Sequence, residues 1–326
     1  MCILTNRDKN FDLAIKYLEM LGNYVFQDKE TVKEKLKLNT NVSILDILAT
    51  YLVLYRLPLL FNKEHNGVKG QLFSYYRLFK GLIGHNVDKL RNVFFLNTNK
   101  KVHFLVHKKK KSIKKVLFLG FKDIYFRDIL SSIQSELNQN EDIFTYVINQ
   151  KKNFISTLDS QNSIWNLLTT EDIKFVNVLL KENNKLKSSL LSSKFISEAS
   201  NFKHLQINKT LLKNEISWIL YREIPRLAPF IALAKRLFTN NNLSLLVTAD
   251  DADQKCRVFT LHARIKKIDS IVVQQGLVRK DYPEWVYFSG SKIACMGKHS
   301  MEIINSQGVP KKNISITGSI ETDRQI

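Results

Sequence analysis

Cysteine, proline and glycine are all scarce in this chain of 326 residues, with 3, 5 and 11 copies. Cys2, Cys256 and Cys295 are far apart and none has a paired spacing. That supports neither a disulfide framework nor a cysteine-based zinc site, and a reducing cytoplasm is the expected compartment. Cys295 lies in an apolar run and reads as a small buried thiol. Neither G-x-G-x-x-G nor a Walker loop occurs, so the two common glycine-rich phosphate cradles are excluded. Long apolar runs are missing as well. The best candidate, Leu45–Phe61, contains Asp46, Arg56 and Pro58. Its uncharged part, Ile47–Tyr55, is far short of the ~20 residues a membrane span needs, so a buried or interfacial helix is expected. At the N-terminus Met1, Cys2, Ile3 and Leu4 give way at once to Asn6, Arg7, Asp8 and Lys9, unlike a signal peptide. Any membrane association is therefore expected to be peripheral, on the cytoplasmic face.

What the chain does contain is ordinary for a globular protein: 44% hydrophobic and 25% charged residues. The length suits two domains, each with its own core. The net charge of +20 comes from 38 Lys and only 12 Arg, and Asn, Ile and Phe are also abundant. This bias is as much a mark of AT-rich coding as of a polyanion partner. Readers of nucleic acid lean on Arg for bidentate contacts, which makes nucleic acid the less favoured partner. An anionic membrane surface or a phosphorylated substrate is favoured over it.

Taken in order, residues 1–107 read as mainly helical. Phe11, Ile15, Leu18 and Leu21 recur at helical spacing, with Gly22 where a C-terminal cap belongs. Ser43 is placed to cap the next helix, with Asp46 in its first turn. Tyr75, Tyr76, Phe79 and Leu82 suggest a further amphipathic helix. His65 and His85 are isolated and carry no constellation. A basic stretch follows, with Lys100, Lys101 and Lys108–Lys111, then Lys114 and Lys115, and no acidic residue among them. Lys108–Lys115 is read as a linker between domains, with a patch facing anionic lipid or polyphosphate as the functional alternative, each exposed lysine being worth up to ~1 kcal/mol near an anionic surface.

Residues 116–326 have the pattern of an α/β domain: a Rossmann-like parallel sheet flanked by helices. Short runs rich in Ile, Val and Leu occur at 116–121, 143–148, 243–251, 270–276, 292–297 and 313–318, and most end in Gly or Asp. Such runs are buried parallel strands whose carboxyl ends open onto a crevice where ligands bind. Tyr125–Leu137 is expected to be helical, so 116–148 forms a βαβ start. Residues 150–214 read as a helical insertion, with pieces at Trp165–Leu168 and Ile173–Leu180. From Glu215 to Phe238 an apolar-periodic helix is interrupted by Pro225 and Pro229. Two helices meeting at Arg222–Pro229 are expected there, and the kink would bring Arg222 and Arg226 towards the ligand edge of the sheet.

The candidate site residues lie at these strand ends. Gly120 and Phe121 form the first turn at the crevice. Asp250 and Asp251 follow a buried strand, where carboxylates bind hydroxyl groups, orient a base or hold a cation. One carboxylate among Asp250, Asp251 and Asp253 is expected to cap the following helix instead. Arg257, one turn further on, pairs either with these carboxylates or with a substrate phosphate. Gln274, Gln275 and Gly276 end the next strand, Gly276 permitting a close backbone approach or a left-handed turn. Arg279, Lys280, Tyr282, Trp285, Tyr287 and Phe288 mix cations and aromatics in the loop 277–291, which suits stacking on a sugar or base. Gly297 and Lys298, followed by His299, open a helix whose free N–H groups suit an anion. No metal-ligand spacing stands out.

In order, these stretches are Asp250-Asp251 with Arg257, Ile-Val-Val-Gln-Gln-Gly (271–276), Lys-Ile-Ala-Cys-Met-Gly (292–297), Gln-Gly-Val-Pro (307–310) and Ile-Ser-Ile-Thr-Gly-Ser (314–319), with Asp323 behind. The series resembles the N-terminal half of GT-B-type transferases that build surface polysaccharides. It is similar to the group spanning CDP-glycerol glycerophosphotransferases, polysialyltransferase-like proteins and relatives of the UDP-N-acetylglucosamine 2-epimerase fold. The likeness covers 243–323 well and 116–149 loosely, and leaves 1–111 unexplained. It implies a glycan or lipid-linked acceptor in the crevice, with a nucleotide-sugar or CDP-glycerol as donor and no permanently bound cofactor. It also implies a second, donor-binding domain in the same or another chain, beyond a hinge at Gly318. The family commonly has Gln-His-Gly where this chain has Gln274-Gln275-Gly276. Gln275 hydrogen-bonds but takes no proton, so a general base at this position is not expected.

Overall fold

A computed structural model describes residues 6–61, 75–76, 79, 114–121, 129–149, 164–202, 205–240 and 243–319. The readings on Cys2, His65, His85, the lysines of 100–111, Tyr125 and Asp323 lie outside them. The chain forms two compact units: Met1–Thr98 with Ile173–Pro229, and Asn99–Asp172 with Phe230–Ile326.

In the first unit, Ser43 caps the helix Ile44–Tyr51 by accepting from the Leu45 N–H at 3.3 Å, with Asp46 in the first turn. Gly22 is not a cap: the helix Asn6–Asn23 runs on through it. Leu45–Phe61 is largely buried, and it is not one uniform helix. An α-helical start passes into a π-helical segment, Leu52–Arg56, and then into Pro58–Phe61. A second π-helical segment, Ile219–Glu223, follows the helix Lys209–Trp218. Each sits two residues before a proline, in the similar stretches Leu54-Tyr55-Arg56-Leu57-Pro58 and Leu220-Tyr221-Arg222-Glu223-Ile224-Pro225. The widened turn has a local cause. Pro225 has no N–H to give the Leu220 carbonyl, and Asn183 Nδ2 supplies that bond at 2.8 Å. The break thus falls upstream of both prolines, and Pro229 sits inside the helix Ile224–Asn240. Arg226 is held by Glu223, and Arg222 Nε stands 3.8 Å from the same carboxylate. In the core of this unit Tyr17 is fully buried; its hydroxyl donates to the Ala199 carbonyl at 2.9 Å while its ring meets Phe61 and Phe202 edge-on.

The second unit is an α/β domain built on a six-stranded, wholly parallel sheet. Its strands are β1 (Lys114–Gly120), β2 (Ile143–Asn149), β3 (Leu245–Thr248), β4 (Asp269–Val273), β5 (Lys292–Cys295) and β6 (Ile314–Ile316). In space they run β2-β1-β3-β4-β5-β6. Leu119 pairs with Thr248, Thr248 with Val272, Val272 with Ile293 and Ile293 with Ile314, which aligns the strand ends. All six apolar runs of the sequence are strands. Val116, Phe118, Leu130, Val247 and Val273 form one core cluster, and Val272, Ile293, Cys295, Ile304 and Ile314 belong to another. The chain lays β2 on one side of β1 and returns to place β3 on the other. This reversal is the topological switch point of the sheet, beside which open α/β sheets bind ligands.

Candidate functional site

At the switch point, the first-turn residues are not open to a ligand. Gly120 is buried at the end of β1. Phe121 is only 4% exposed and packs edge-on against Phe230, with its centroid 5.4 Å away, and obliquely on Phe259 at 5.7 Å. Between Leu119, Phe121, Thr248, Asp250 and Cys256 there remains about 10 Å³ of space, room for roughly one water. Burial pushes the Cys256 thiol well above its ordinary range, so this cysteine is an inert wall.

The larger cleft opens one strand further on, at the carboxyl ends of β3 and β4. It has a volume of about 200 Å³ and is bordered by Ala249, Asp250, Asp251, Gln274, Gln275, Gly276, Leu277, Val278, Glu284 and Trp285. The structure thus brings together five of the sequence-selected residues: Asp250, Asp251, Gln274, Gln275 and Gly276. Glu284 and Val278 were not singled out by sequence. Trp285 was noted only as one aromatic of its loop.

Asp251 faces inward. Its carboxylate accepts from the Ser289 N–H at 2.6 Å, from Thr260 Oγ1 at 3.0 Å and from the Ser289 hydroxyl. Arg257 Nη1 stands 3.4 Å away and also donates to the Tyr287 carbonyl at 2.6 Å. Arg257 is 2% exposed, so it is a brace for the loop and not a surface cation awaiting phosphate. Burial pushes the Asp251 carboxyl upward, against the opposing pull of Arg257 and the Ser289 donors. The helix Gln254–Ile265 that carries Arg257 is capped by Asp253, which accepts from the Lys255 N–H at 2.8 Å. Asp250 Oδ1 accepts from the Ala252 and Asp253 N–H groups at 2.8 and 2.9 Å, which fixes the turn at the cleft. From the other side, Gln307 Nε2 donates to the Arg279 and Tyr282 carbonyls, and its Oε1 accepts from the Trp285 N–H at 3.0 Å. The loop 277–291 is thereby clamped at both flanks.

Gln274 is also a structural residue: its Oε1 accepts from the Met296 N–H at 2.9 Å, and its Nε2 donates to the Gly276 carbonyl and to Ser300 Oγ. Gly276 is exposed and has no positive φ, so it makes no left-handed turn, and an added Cβ would meet no protein atom within 4 Å. Tyr282 and Arg279 do not border the cleft; Arg279 pairs with Asp281 on the surface. Gly297 caps the helix Lys298–Ser306 in extended conformation, and Lys298 and His299 are exposed there, away from the cleft lining. Gly318 is left-handed, with φ +83°, and follows β6. Neither it nor Gly297 is brought to the cleft.

Two polar atoms of the lining differ from the rest. Gln275 Oε1 and Trp285 Nε1 are buried without a hydrogen-bond partner, and Trp285 is only 6% exposed. An unmade bond of this kind costs about 1–3 kcal/mol, so each such group in a folded protein calls for an explanation. Among the described residues no group of three or more His, Cys, Asp or Glu side chains is arranged to hold a metal ion. Among the described residues, too, no helix is long and apolar enough to cross a membrane.

Fold and site together define an α/β domain with a polar, aromatic-walled cleft at the strand ends of a parallel sheet. Comparisons with protein-family models, curated proteins and solved structures give no match.

Proposed function

We propose that the protein is a glycosyltransferase-like component of cell-surface polysaccharide synthesis, with the cleft of the second unit holding the acceptor. The observation that carries this reading is the lining itself. Asp250, Glu284, Gln275 and Trp285 converge at the carboxyl ends of β3 and β4, where an α/β sheet takes its ligands. The ordered strand-end stretches that resemble GT-B-type transferases supply the reaction class. A nucleotide-sugar or CDP-glycerol is the donor, bound by a second domain of the same or another chain. Asp250 is the base of this scheme, since Gln275 takes no proton and Asp251 is turned inward. The acceptor hydroxyl gives its proton to Asp250 and its oxygen bonds to the transferred carbon or phosphorus. The bond to the nucleotide phosphate breaks, and the nucleotide leaves with the electron pair. Trp285 and Glu284 position the acceptor. The protein works at the inner face of the membrane, which it meets through Lys108–Lys115.

A second reading, a binding module of the same pathway without turnover, draws support from Gln275 standing where the resembling family carries its histidine. One experiment separates the two: nucleotide release from UDP-N-acetylglucosamine or CDP-glycerol, with glycan acceptors present. Transfer that falls about 100-fold or more in Asp250→Asn, with unchanged stability, is expected of the enzyme. Full transfer by that variant would overturn the assignment of Asp250, and acceptor binding without release from either donor would favour the module.

A further inference from the structure

At the end of the sheet opposite the cleft, the strand starts of the second unit carry an unbalanced positive charge. Lys266 and Lys267 lead into β4, Lys292 begins β5, and Lys311 and Lys312 lead into β6. The register sets these starts side by side, Ile271 pairing with Lys292 and Ile293 with Ile314. Hydrogen bonds join them directly: Ser291 Oγ accepts from the Ser270 N–H at 2.7 Å, and Lys292 Nζ donates to the Lys312 carbonyl at 3.0 Å. All five lysines are exposed. In the segments 264–269, 291–292 and 307–313 that enter these strands, Asp269 is the sole acid. None of the five makes an ion pair among the described residues, whereas Lys33, Lys35 and Lys185 of the first unit each have a carboxylate. The dipole of the helix Gln254–Ile265 accounts for Lys266 and Lys267 at its end, but not for Lys292, Lys311 and Lys312. At the start of β1 the balance is closer, with exposed Glu141 and Asp142 leading into β2 beside Lys114 and Lys115.

Resting on the membrane part of the proposed function and deepening it, we infer that this edge, the amino ends of β4–β6, is the face that docks on an anionic lipid bilayer. Three features favour a bilayer over nucleic acid. The lysines stand on the starts of neighbouring strands and form a rank along the sheet end, with no helix or ribbon among them to enter a groove. The single arginine of the patch, Arg264, gives its Nη2 to the Phe288 carbonyl at 2.8 Å and is not a free fork for bidentate contacts. Ile265, 41% exposed, lies inside the run Arg264-Ile265-Lys266-Lys267. An apolar side chain ringed by lysines suits the boundary between headgroups and acyl chains, where lysine stems also lie along the apolar layer. The cleft opens at the other end of the five-residue strand β4, about 15 Å on at ~3.3 Å per residue. That exceeds the screening length of about 8 Å in physiological salt, so docking by this edge leaves the cleft outside the field of the lipid surface.

The test is flotation of the full chain with vesicles of phosphatidylcholine alone and of phosphatidylcholine with about one third phosphatidylglycerol, at physiological salt. Binding is expected to the anionic vesicles only. Combining Lys266→Gln, Lys267→Gln, Lys311→Gln and Lys312→Gln should weaken it at least about 100-fold, each lysine at an anionic surface being worth up to about fivefold. The same loss of charge in the first unit, by Lys29→Gln, Lys37→Gln, Lys181→Gln and Lys194→Gln, should cost less than about fivefold because screening keeps the effect local. Ile265→Ser should cost about tenfold with an unchanged urea midpoint. Equal losses in the two fourfold variants would overturn the inference, since diffuse net charge would then suffice. Tighter binding of duplex DNA than of anionic vesicles at the same salt, abolished in the edge variant, would overturn it in favour of nucleic acid. Vesicle binding that survives in the edge variant and is lost only on replacing Lys108–Lys111 would keep the membrane reading and overturn this face. The transferase reading is judged apart from all of these, by nucleotide release with a soluble acceptor.

Discussion

Asp251 and Gln275 border the same cleft from adjacent strand ends, yet they stand in opposite conditions. Around Asp251, the groups Ser289, Thr260, Arg257 and the Tyr287 carbonyl close a buried network. At Gln275 an amide oxygen, and at Trp285 on the border of the same cleft an indole N–H, remain unpaired. The difference teaches how a strand-end loop divides its work. Where every donor has found an acceptor within the chain, the residue holds the loop. Where the chain leaves one open, the residue is available to a ligand.

The comparison is broken most severely at Asp251. Asp251→Ala strands the Arg257 guanidinium in a buried site and is expected to cost about 3–5 kcal/mol, read from urea unfolding. Next comes pH. His262, on the same helix as Arg257, donates through Nδ1 to the Val258 carbonyl at 2.6 Å, and burial lowers its pKa from 6.5 to about 4. A depressed folded-state value means that its contribution is fully present above pH 6.5 and lost as pH falls towards 4. The loss approaches about 3 kcal/mol and should be absent in His262→Leu after correction for its own baseline. Gly290→Ala should cost about 1–3 kcal/mol, because its Cβ would come within 2.8 Å of Phe288 and Val272 side-chain atoms in the packed floor of the loop. Asp253→Ala, which removes a helix cap, should cost about 1 kcal/mol. Smallest of all in stability is Gln275→Leu, expected within about 0.5 kcal/mol of the parent because it removes no internal bond of the unpaired oxygen.

Much of this molecule was legible before its fold was known. The six strands announced themselves because strands covered on both faces read as continuous apolar runs, and Asp253 belonged to a trio from which a cap was expected. The cleft was legible as a location, since strand ends follow directly from strands. What the sequence withheld was the division of roles within it. For Arg257 the sequence admits either a neighbouring carboxylate or a substrate phosphate; it pairs with Asp251, and its other partner, the Tyr287 carbonyl 30 residues on, is the one that spacing does not reveal. Phe121 looked like a crevice residue because Phe230, more than a hundred positions away, fills the space beside it. Glu284 carries no local signature at all, being one acid in a mixed loop. Burial of polar groups by distant chain is a tertiary fact, and spacing along the chain does not encode it. The π-helical segments are a partial exception: prolines marked both regions, while the adjustment fell in the turn before them.

The most direct test of the account is a paired calorimetric titration of N-acetylglucosamine into the unaltered chain and into Gln275→Leu, with urea unfolding of both. The account predicts at least tenfold weaker binding in Gln275→Leu at an unchanged unfolding midpoint. Equal affinity in the two chains, or a loss of affinity that appears only alongside a loss of stability, would contradict it.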